Sequence, residues 1–242
     1  MTQPHKMIAS RYEDESGKRE FIRDLFDRAA RHYDRIGVVG FFGTGHFYRR
    51  LALRRSGLKA GMKALDVACG TGAVTRAAVE LVGDPKAVWG VDPSEGMLAE
   101  AKKNIDAQFE SGDAERLPFD DDRFDFLSMG YALRHVEDLT ATFLEYRRVL
   151  KPDGRLMLLE ITRPRNALVR FFAWIYFGLL LPPISFLVTG SRDAREMMSY
   201  YWETIDACVP PETIMEALEK AGFRNVKRRV TLAIFSEYVA DA

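Results

Sequence analysis

The chain is poor in cysteine. Cys69 and Cys208 are its only two among 242 residues, so no disulfide framework is available, and no Cys/His cluster has the spacing of a zinc site. Net charge is missing too. Thirty-five Lys and Arg balance thirty-five Asp and Glu, which excludes a chain-wide basic field, and no nucleic-acid partner is expected. The first twenty residues lack an apolar signal region, and there are no internal repeats or low-complexity tracts. With 47% hydrophobic and 29% charged residues, the composition is that of a folded chain with a substantial core, expected in the cytoplasm.

The charge is uneven in one place. Residues 1–55 hold twelve Lys/Arg against seven Asp/Glu, which fits either a solvated helical face or a surface for an anionic partner. Apolar spacing predicts a helix over 21–34, a loop over 41–46 around Gly43 and Gly45, and a basic helix over 47–56. From residue 63 short strands alternate with helices. The strands are 64–68, 87–91, 107–111, 124–129 and 155–161. The helices are 73–82, one capped by Ser94 that runs to about 105, and 139–150. Lys151-Pro152-Asp153-Gly154 reads as a turn. A helix over 210–222 precedes two strands, 226–232 and 234–239, expected as an antiparallel pair. The alternation predicts an α/β fold: a mostly parallel sheet with helices on both faces.

Residues 167–188 differ. They are aromatic and apolar, with no charge between Phe171 and Val188. A membrane span needs about 20 apolar residues in unbroken helix, and Pro182-Pro183 is expected to break this one into a bent lid of two short helices. Its apolar face must find cover in the core, a partner, a lipid tail or a bilayer boundary. Arg163, Arg165 and Arg170 flank it, suited to anionic headgroups, so reversible membrane contact is expected. Four segments result: an N-terminal helical cap (1–60), a cofactor-binding core (61–162), an apolar lid (163–209) and a C-terminal helix with its strand pair (210–242).

The strongest chemical signal is Asp66-Val67-Ala68-Cys69-Gly70-Thr71-Gly72, where the first strand runs into a helix. Glycines there let backbone approach a ligand, and the helix start offers free N–H groups. Asp92 ends the second strand, where an acid accepts ribose hydroxyls. Asp113-Ala114 follows the third strand and can read an amino-purine edge. A carboxylate at Asp66 suits an ammonium group and repels a pyrophosphate. Together these describe a site for S-adenosylmethionine rather than a dinucleotide. Cys69 is expected as a small apolar filler.

The motif set extends along the chain: Phe26-Asp27-x-x-Ala30-x-x-Tyr33-Asp34, Gly45-His46, Asp92-x-Ser94-x-x-Met97-Leu98, Asp113-Ala114-Glu115-x-Leu117-Pro118-Phe119, Leu133-Arg134, Arg148-Val149-Leu150-Lys151-Pro152-x-Gly154 and Tyr200-x-x-Glu203-Thr204-Ile205. In these residues the sequence resembles the ubiquinone/menaquinone biosynthesis C-methyltransferases, within the class I S-adenosylmethionine-dependent methyltransferases. The resemblance implies a Rossmann-like, seven-stranded fold with a helical lid, and methyl transfer to a ring carbon of a reduced, prenylated quinone, a hydrophobic or lipid substrate. N-methylation of phosphatidylethanolamine or another amine is the alternative, and a homodimer is a base-rate expectation. The sequence departs from the family at Gly37, where asparagine is typical, at Gly130, where serine is, at His135, where asparagine is, and at Met198, where tyrosine is. All lie where the acceptor would sit.

The end of the fourth strand faces the transferred methyl in this fold, which singles out Gly130 on the cofactor side and Tyr131, Arg134 and His135 for catalysis. A ring carbon attacks well only when its phenol is deprotonated, so a base or oxyanion stabiliser is required. His135 can be that base or a structural histidine. Arg134 can stabilise a phenolate or pair with Glu137 or Asp138. His32 and His46 are expected in surface or packing roles.

Overall fold

The computed structural model describes residues 2–5 and 8–242. Seven strands form one sheet: β1 (Ala64–Val67), β2 (Val88–Asp92), β3 (Gln108–Ser111), β4 (Phe124–Gly130), β5 (Leu150–Ile161), β6 (Arg224–Thr231) and β7 (Phe235–Asp241), in the order β3-β2-β1-β4-β5-β7-β6. The first five are parallel, and β7 runs antiparallel between β5 and β6. β1 is buried at every position, as expected for a strand covered on both faces, which is why it reads as a short apolar run. Strand order reverses between β1 and β4, so a crevice opens beyond their carboxyl ends.

Helices fill both faces. α2 (Gly45–Arg55) and α3 (Ala73–Val82) pack Leu53, Ala77 and Val82 on Phe126 and Met157. On the other face α5 (Leu139–Val149) and α9 (Pro211–Lys220) bring Phe143, Tyr146, Ile214 and Leu218 against Leu127 and Leu156. A third cluster joins the long α1 (Glu15–Gly40) to the apolar helix and to α8 (Arg192–Ala207), through Leu25, Ile36, Leu181, Met197 and Ile205. α4 (Glu95–Asn104) is capped by Ser94, whose hydroxyl accepts from the Met97 N–H at 3.1 Å.

Three expectations change. The segment 15–40 is one helix, longer at both ends than its clearest apolar stripe; Asp14 caps it by accepting from Gly17 N–H at 2.8 Å. α8 was not foreseen, although Ala194, Met197, Met198 and Ile205 bury one face of it. Pro182-Pro183 does not break the apolar helix. α6 (Ala167–Ala173), a π stretch (Trp174–Leu180) and α7 (Leu181–Thr189) follow without interruption, and Leu180 and Leu181 keep helical dihedrals. Proline's fixed φ suits a first helical turn, and the widened π turn before it relieves the ring's clash. The result is 23 residues of mean hydropathy 1.9, long and apolar enough to cross a membrane by length and composition, with 28% of its most apolar window buried. Phe171, Phe172, Trp174, Leu180 and Leu187 are exposed.

Candidate active site

A cleft of about 720 Å³ opens beyond the carboxyl ends of β1, β2 and β4. On one side it is lined by Gly70, Asp92, Ser94, Asp113 and Ala114, and on the other by Met129, Gly130, Tyr131, His135 and Tyr201, with Arg19, Phe26 and Tyr33 of α1 across the front. The loop after β1 is tightly wound, with Ala68, Gly70 and Gly72 all at left-handed φ (52, 57 and 82°). At Gly72 a Cβ would stand 2.3 Å from the Ile105 side chain, so only glycine lets α3 begin there.

Asp92 accepts from the Gly70 N–H at 2.8 Å and the Ser94 N–H at 2.9 Å. It thereby ties the loop after β1 to the start of α4. Burial pushes its carboxyl up to about 6, against the pull of those two N–H groups. Asp66 is placed otherwise than expected. It is 1% exposed and accepts from Thr75 Oγ1 at 2.7 Å and Ser128 Oγ at 2.9 Å. Burial raises it to about 6 as well, opposed by the same hydroxyls. It fastens the loop to α3 and β4 and does not line the cleft. Thr71 and Gly72 also stand back from it. The Thr71 hydroxyl donates to Asp34 of α1 at 2.6 Å.

The acceptor side is aromatic. His135 ends a 3-10 turn (Leu133–His135). Its ring stacks on Tyr200 at 5.6 Å and takes the edge of Phe26 at 5.5 Å. Neither ring nitrogen has a hydrogen-bond partner among the described residues. Burial, then the charge of Arg134, hold its pKa well below the usual histidine range, so at neutral pH it is an unprotonated base on the cleft wall. Tyr131 has a left-handed φ of 63°, strain of the kind that re-aims a side chain at a site, and its N–H donates to the Leu159 carbonyl at 2.7 Å. At Gly130 a Cβ would come 2.8 Å from Val74, which leaves no room for the serine typical of the family it resembles.

Arg134 is not in the cleft. It is completely buried, its Nη1 is 3.5 Å from Glu160 Oε1, and Glu160 is completely buried too. Its Nη2 donates to the Tyr131 carbonyl at 3.1 Å, and its Cζ lies 4.6 Å from the Tyr201 ring centroid. The expected partners are engaged elsewhere: Glu137 takes Arg19 at 2.9 Å, and Asp138 takes the Thr2 N–H at 2.7 Å. Arg134 shapes the acceptor wall from behind.

Sequence reasoning missed the fasteners of α1. Asp27 accepts from the Gly96 N–H at 2.9 Å and from the Ser94 hydroxyl. Asp34 accepts from Thr71. Seven residues apart, the two carboxylates share a helix face, and each grips a loop that Asp92 also grips or adjoins. That spacing was the available signal. The Arg19–Glu137 ion pair closes the mouth between α1 and the turn after β4.

The family model for the ubiE/COQ5 methyltransferase family matches residues 13–239. The chain belongs to that family. A demethylmenaquinone methyltransferase of Staphylococcus saprophyticus is 33% identical over 220 residues, covering 89% of this chain and 93% of that relative. A demethylmenaquinone methyltransferase of Lactobacillus johnsonii is 34% identical over 212 residues, covering 85% of each chain. Among solved structures, a possible histamine N-methyltransferase of Thermotoga maritima superposes with a TM-score of 0.65 at 22% identity, covering 90% of this chain and 98% of that one. A phosphoethanolamine N-methyltransferase of Haemonchus contortus bound to S-adenosyl-L-methionine superposes with a TM-score of 0.64 at 19% identity, covering 90% of this chain and 59% of that one. The protein is an S-adenosylmethionine-dependent methyltransferase with the class I fold. Its cleft suits that cofactor: the space over Gly70 is open where a Cβ would stand, and acids at the ends of β2 and β3 face it where hydroxyl and amino donors need acceptors.

Proposed function

We propose that this enzyme methylates a ring carbon of a reduced, prenylated quinone of the demethylmenaquinol type. The observation that carries this reading is His135: an uncharged imidazole with two buried, unpartnered nitrogens, beside a cleft whose lining includes Phe26, Tyr33, Tyr131 and Tyr201. Flat aromatic walls fit a flat aromatic acceptor; a ring carbon needs a base that ionises the neighbouring phenol, whereas an amine acceptor needs only to lose an ammonium proton. The demethylmenaquinone methyltransferases among its relatives agree with this acceptor.

S-adenosylmethionine supplies an electrophilic methyl on a sulfonium. Asp92, Asp113 and the N–H groups of the loop after β1 would hold it on the β1–β3 side of the cleft. His135 takes the proton of the phenolic hydroxyl, and the electron pair left on oxygen activates the adjacent ring carbon. After that carbon gains the methyl it loses its own proton to water, while His135 returns the first proton to oxygen. One proton is released per turnover. α1 lies across the front of the site through Arg19, Phe26 and Tyr33.

The acceptor's tail requires collection from a bilayer. We read the exposed face of the apolar helix, at the cytoplasmic surface of a membrane, as the contact, since aromatic side chains favour that interface. Arg163 and Arg170 share Asp206, and Arg165 pairs with Glu212, so one net positive charge remains beside the helix and anionic lipid is expected to strengthen binding only modestly. The test presents the enzyme with short-tailed demethylmenaquinol and with phosphatidylethanolamine, and finds the methylated product by mass spectrometry. The quinol is expected to gain the methyl; methyl on the phospholipid amine would overturn the reading.

A further inference from the structure

Arg49 occupies a position that stability does not explain. It lies in α2, and its guanidinium folds back over the first residue of that helix: a Cβ at Gly45 would stand 2.6 Å from Nη1. The motif glycine is thus room for an arginine. A helix start carries free N–H groups and positive potential, so a cation there is repelled, and the first turn of α2 holds no acid to offset it. Neighbouring arginines are neutralised, Arg50 by Glu80 and Arg55 by Glu237. Arg49 makes no ion pair among the described residues, and its Nε is buried without a hydrogen-bond partner. Its Cζ lies 5.5 Å from the ring centroid of Tyr131, the left-handed residue on the acceptor wall, and its charge reaches Tyr33 on the same wall.

We infer that Arg49 is a positioning residue for the transfer: acting through Tyr131, it keeps positive potential on the acceptor wall and so holds the bound phenol as its phenolate. This rests on the quinol reading. When His135 takes the phenolic proton, the O–H pair stays on oxygen, and the only cations facing it, the imidazolium and the sulfonium, both lose their charge during the turnover, so a fixed cation on the wall is the one that persists. A cation on the face of Tyr131 makes its hydroxyl a stronger donor toward an oxyanion. A half-buried guanidinium without an ion pair among the described residues performs this at every working pH, because arginine does not deprotonate.

The test uses the full-length enzyme with S-adenosylhomocysteine and 1-naphthol, a phenol whose anion absorbs distinctly. Bound naphthol is expected to ionise at lower pH than free naphthol in wild type, at an intermediate pH in Arg49→Lys, and with no depression in Arg49→Met. In turnover, Arg49→Met is expected to lose about 10- to 100-fold in kcat, less than the roughly 100- to 1000-fold of a donor that itself touches the oxyanion because Arg49 acts through Tyr131, with S-adenosylhomocysteine affinity unchanged and partial rescue by added guanidinium. If Arg49→Met unfolds, Arg49→Lys alone decides by its ionisation shift. Unaltered naphthol ionisation in the variants, or a kcat within twofold of wild type in Arg49→Met, overturns the inference. Should wild type methylate no quinol while naphthol ionisation still depends on Arg49, the failure belongs to the quinol reading and not to Arg49.

Discussion

Replacing Asp27 by alanine removes a carboxylate that accepts from the Gly96 N–H at 2.9 Å and from the Ser94 hydroxyl. Hydrogen bonds to a charged group are worth about 1.5–3 kcal/mol each when buried. Asp27 is only half-buried, and Ser94 still caps α4 by itself, so about 2 kcal/mol for the pair is the reasonable scale. The fold should survive, because Leu25 and Ala29 keep α1 on the core. The loss falls instead on the closed position of α1 over the cofactor. A change of 2 kcal/mol is about 30-fold in an equilibrium constant. Calorimetric titration of Asp27→Ala with S-adenosylhomocysteine should therefore show binding weakened by up to that factor. Trypsin should cut sooner at Arg19 and Arg23, on the exposed side of α1. Asp34→Ala, which frees Thr71, should act in the same direction, and the double variant should fall short of additivity, since both fasten one helix. Wild-type affinity in Asp27→Ala together with unchanged cleavage would refute the idea that these carboxylates latch α1.

Three other outcomes are expected. Because burial raises Asp92 to about 6, a ligand that donates to its carboxylate should bind more weakly as pH falls through 6, and calorimetry at pH 5.5 and 7.5 should show this dependence in wild type and its loss in Asp92→Asn. Since His135 titrates well below the usual range, it remains a base at neutrality, so the acid limb of the pH–rate profile should lie below about 6.5; His135→Ala should lower turnover and abolish that limb, and a surviving limb would remove His135 from the base role. Arg134→Met should strip the partner from buried Glu160 and cost about 3–5 kcal/mol in denaturant unfolding, whereas Arg134→Met with Glu160→Leu should recover much of it; equal stability of the single variant and wild type would contradict the buried pair.

The core strands β1, β2 and β4 were legible because a sheet covered on both faces demands consecutive apolar residues, which also placed Asp92 at the end of β2; β3 is a mostly exposed edge strand, and Asp113, two residues beyond it, was picked out by its motif. The direction of Asp66 was not. Its partners Thr75 and Ser128 come from α3 and β4, and nothing local distinguishes a carboxylate facing a ligand from one facing two buried hydroxyls. Arg134 was misjudged for a similar reason. Glu137 and Asp138 are near in sequence, but the side chain turns to Glu160 at the far end of β5. α8 was hidden by its neighbour: the apolar tract drew the whole segment 163–209 into one lid, although Ser191 caps a second amphipathic helix by accepting from the Ala194 N–H at 3.3 Å. At Pro182 the sequence rule that proline breaks helices gave way to a π turn, which no apolar spacing announces. The motif Phe26-Asp27 to Tyr33-Asp34 was visible as a resemblance, and only the contacts with Ser94, Gly96 and Thr71 show that it latches a helix.

Methylation of ring carbon by a neutral imidazole base is the central claim, and the position of the methyl decides it. Wild-type enzyme is supplied with S-adenosylmethionine carrying a ¹³C-labelled methyl and with short-tailed demethylmenaquinol kept reduced, and the product is read by carbon NMR. The account predicts a labelled methyl bonded to the ring carbon beside the phenol oxygen, formed by wild type and strongly reduced in His135→Ala. A label bonded to oxygen or to nitrogen, or a ring methyl formed equally well without His135, would contradict it.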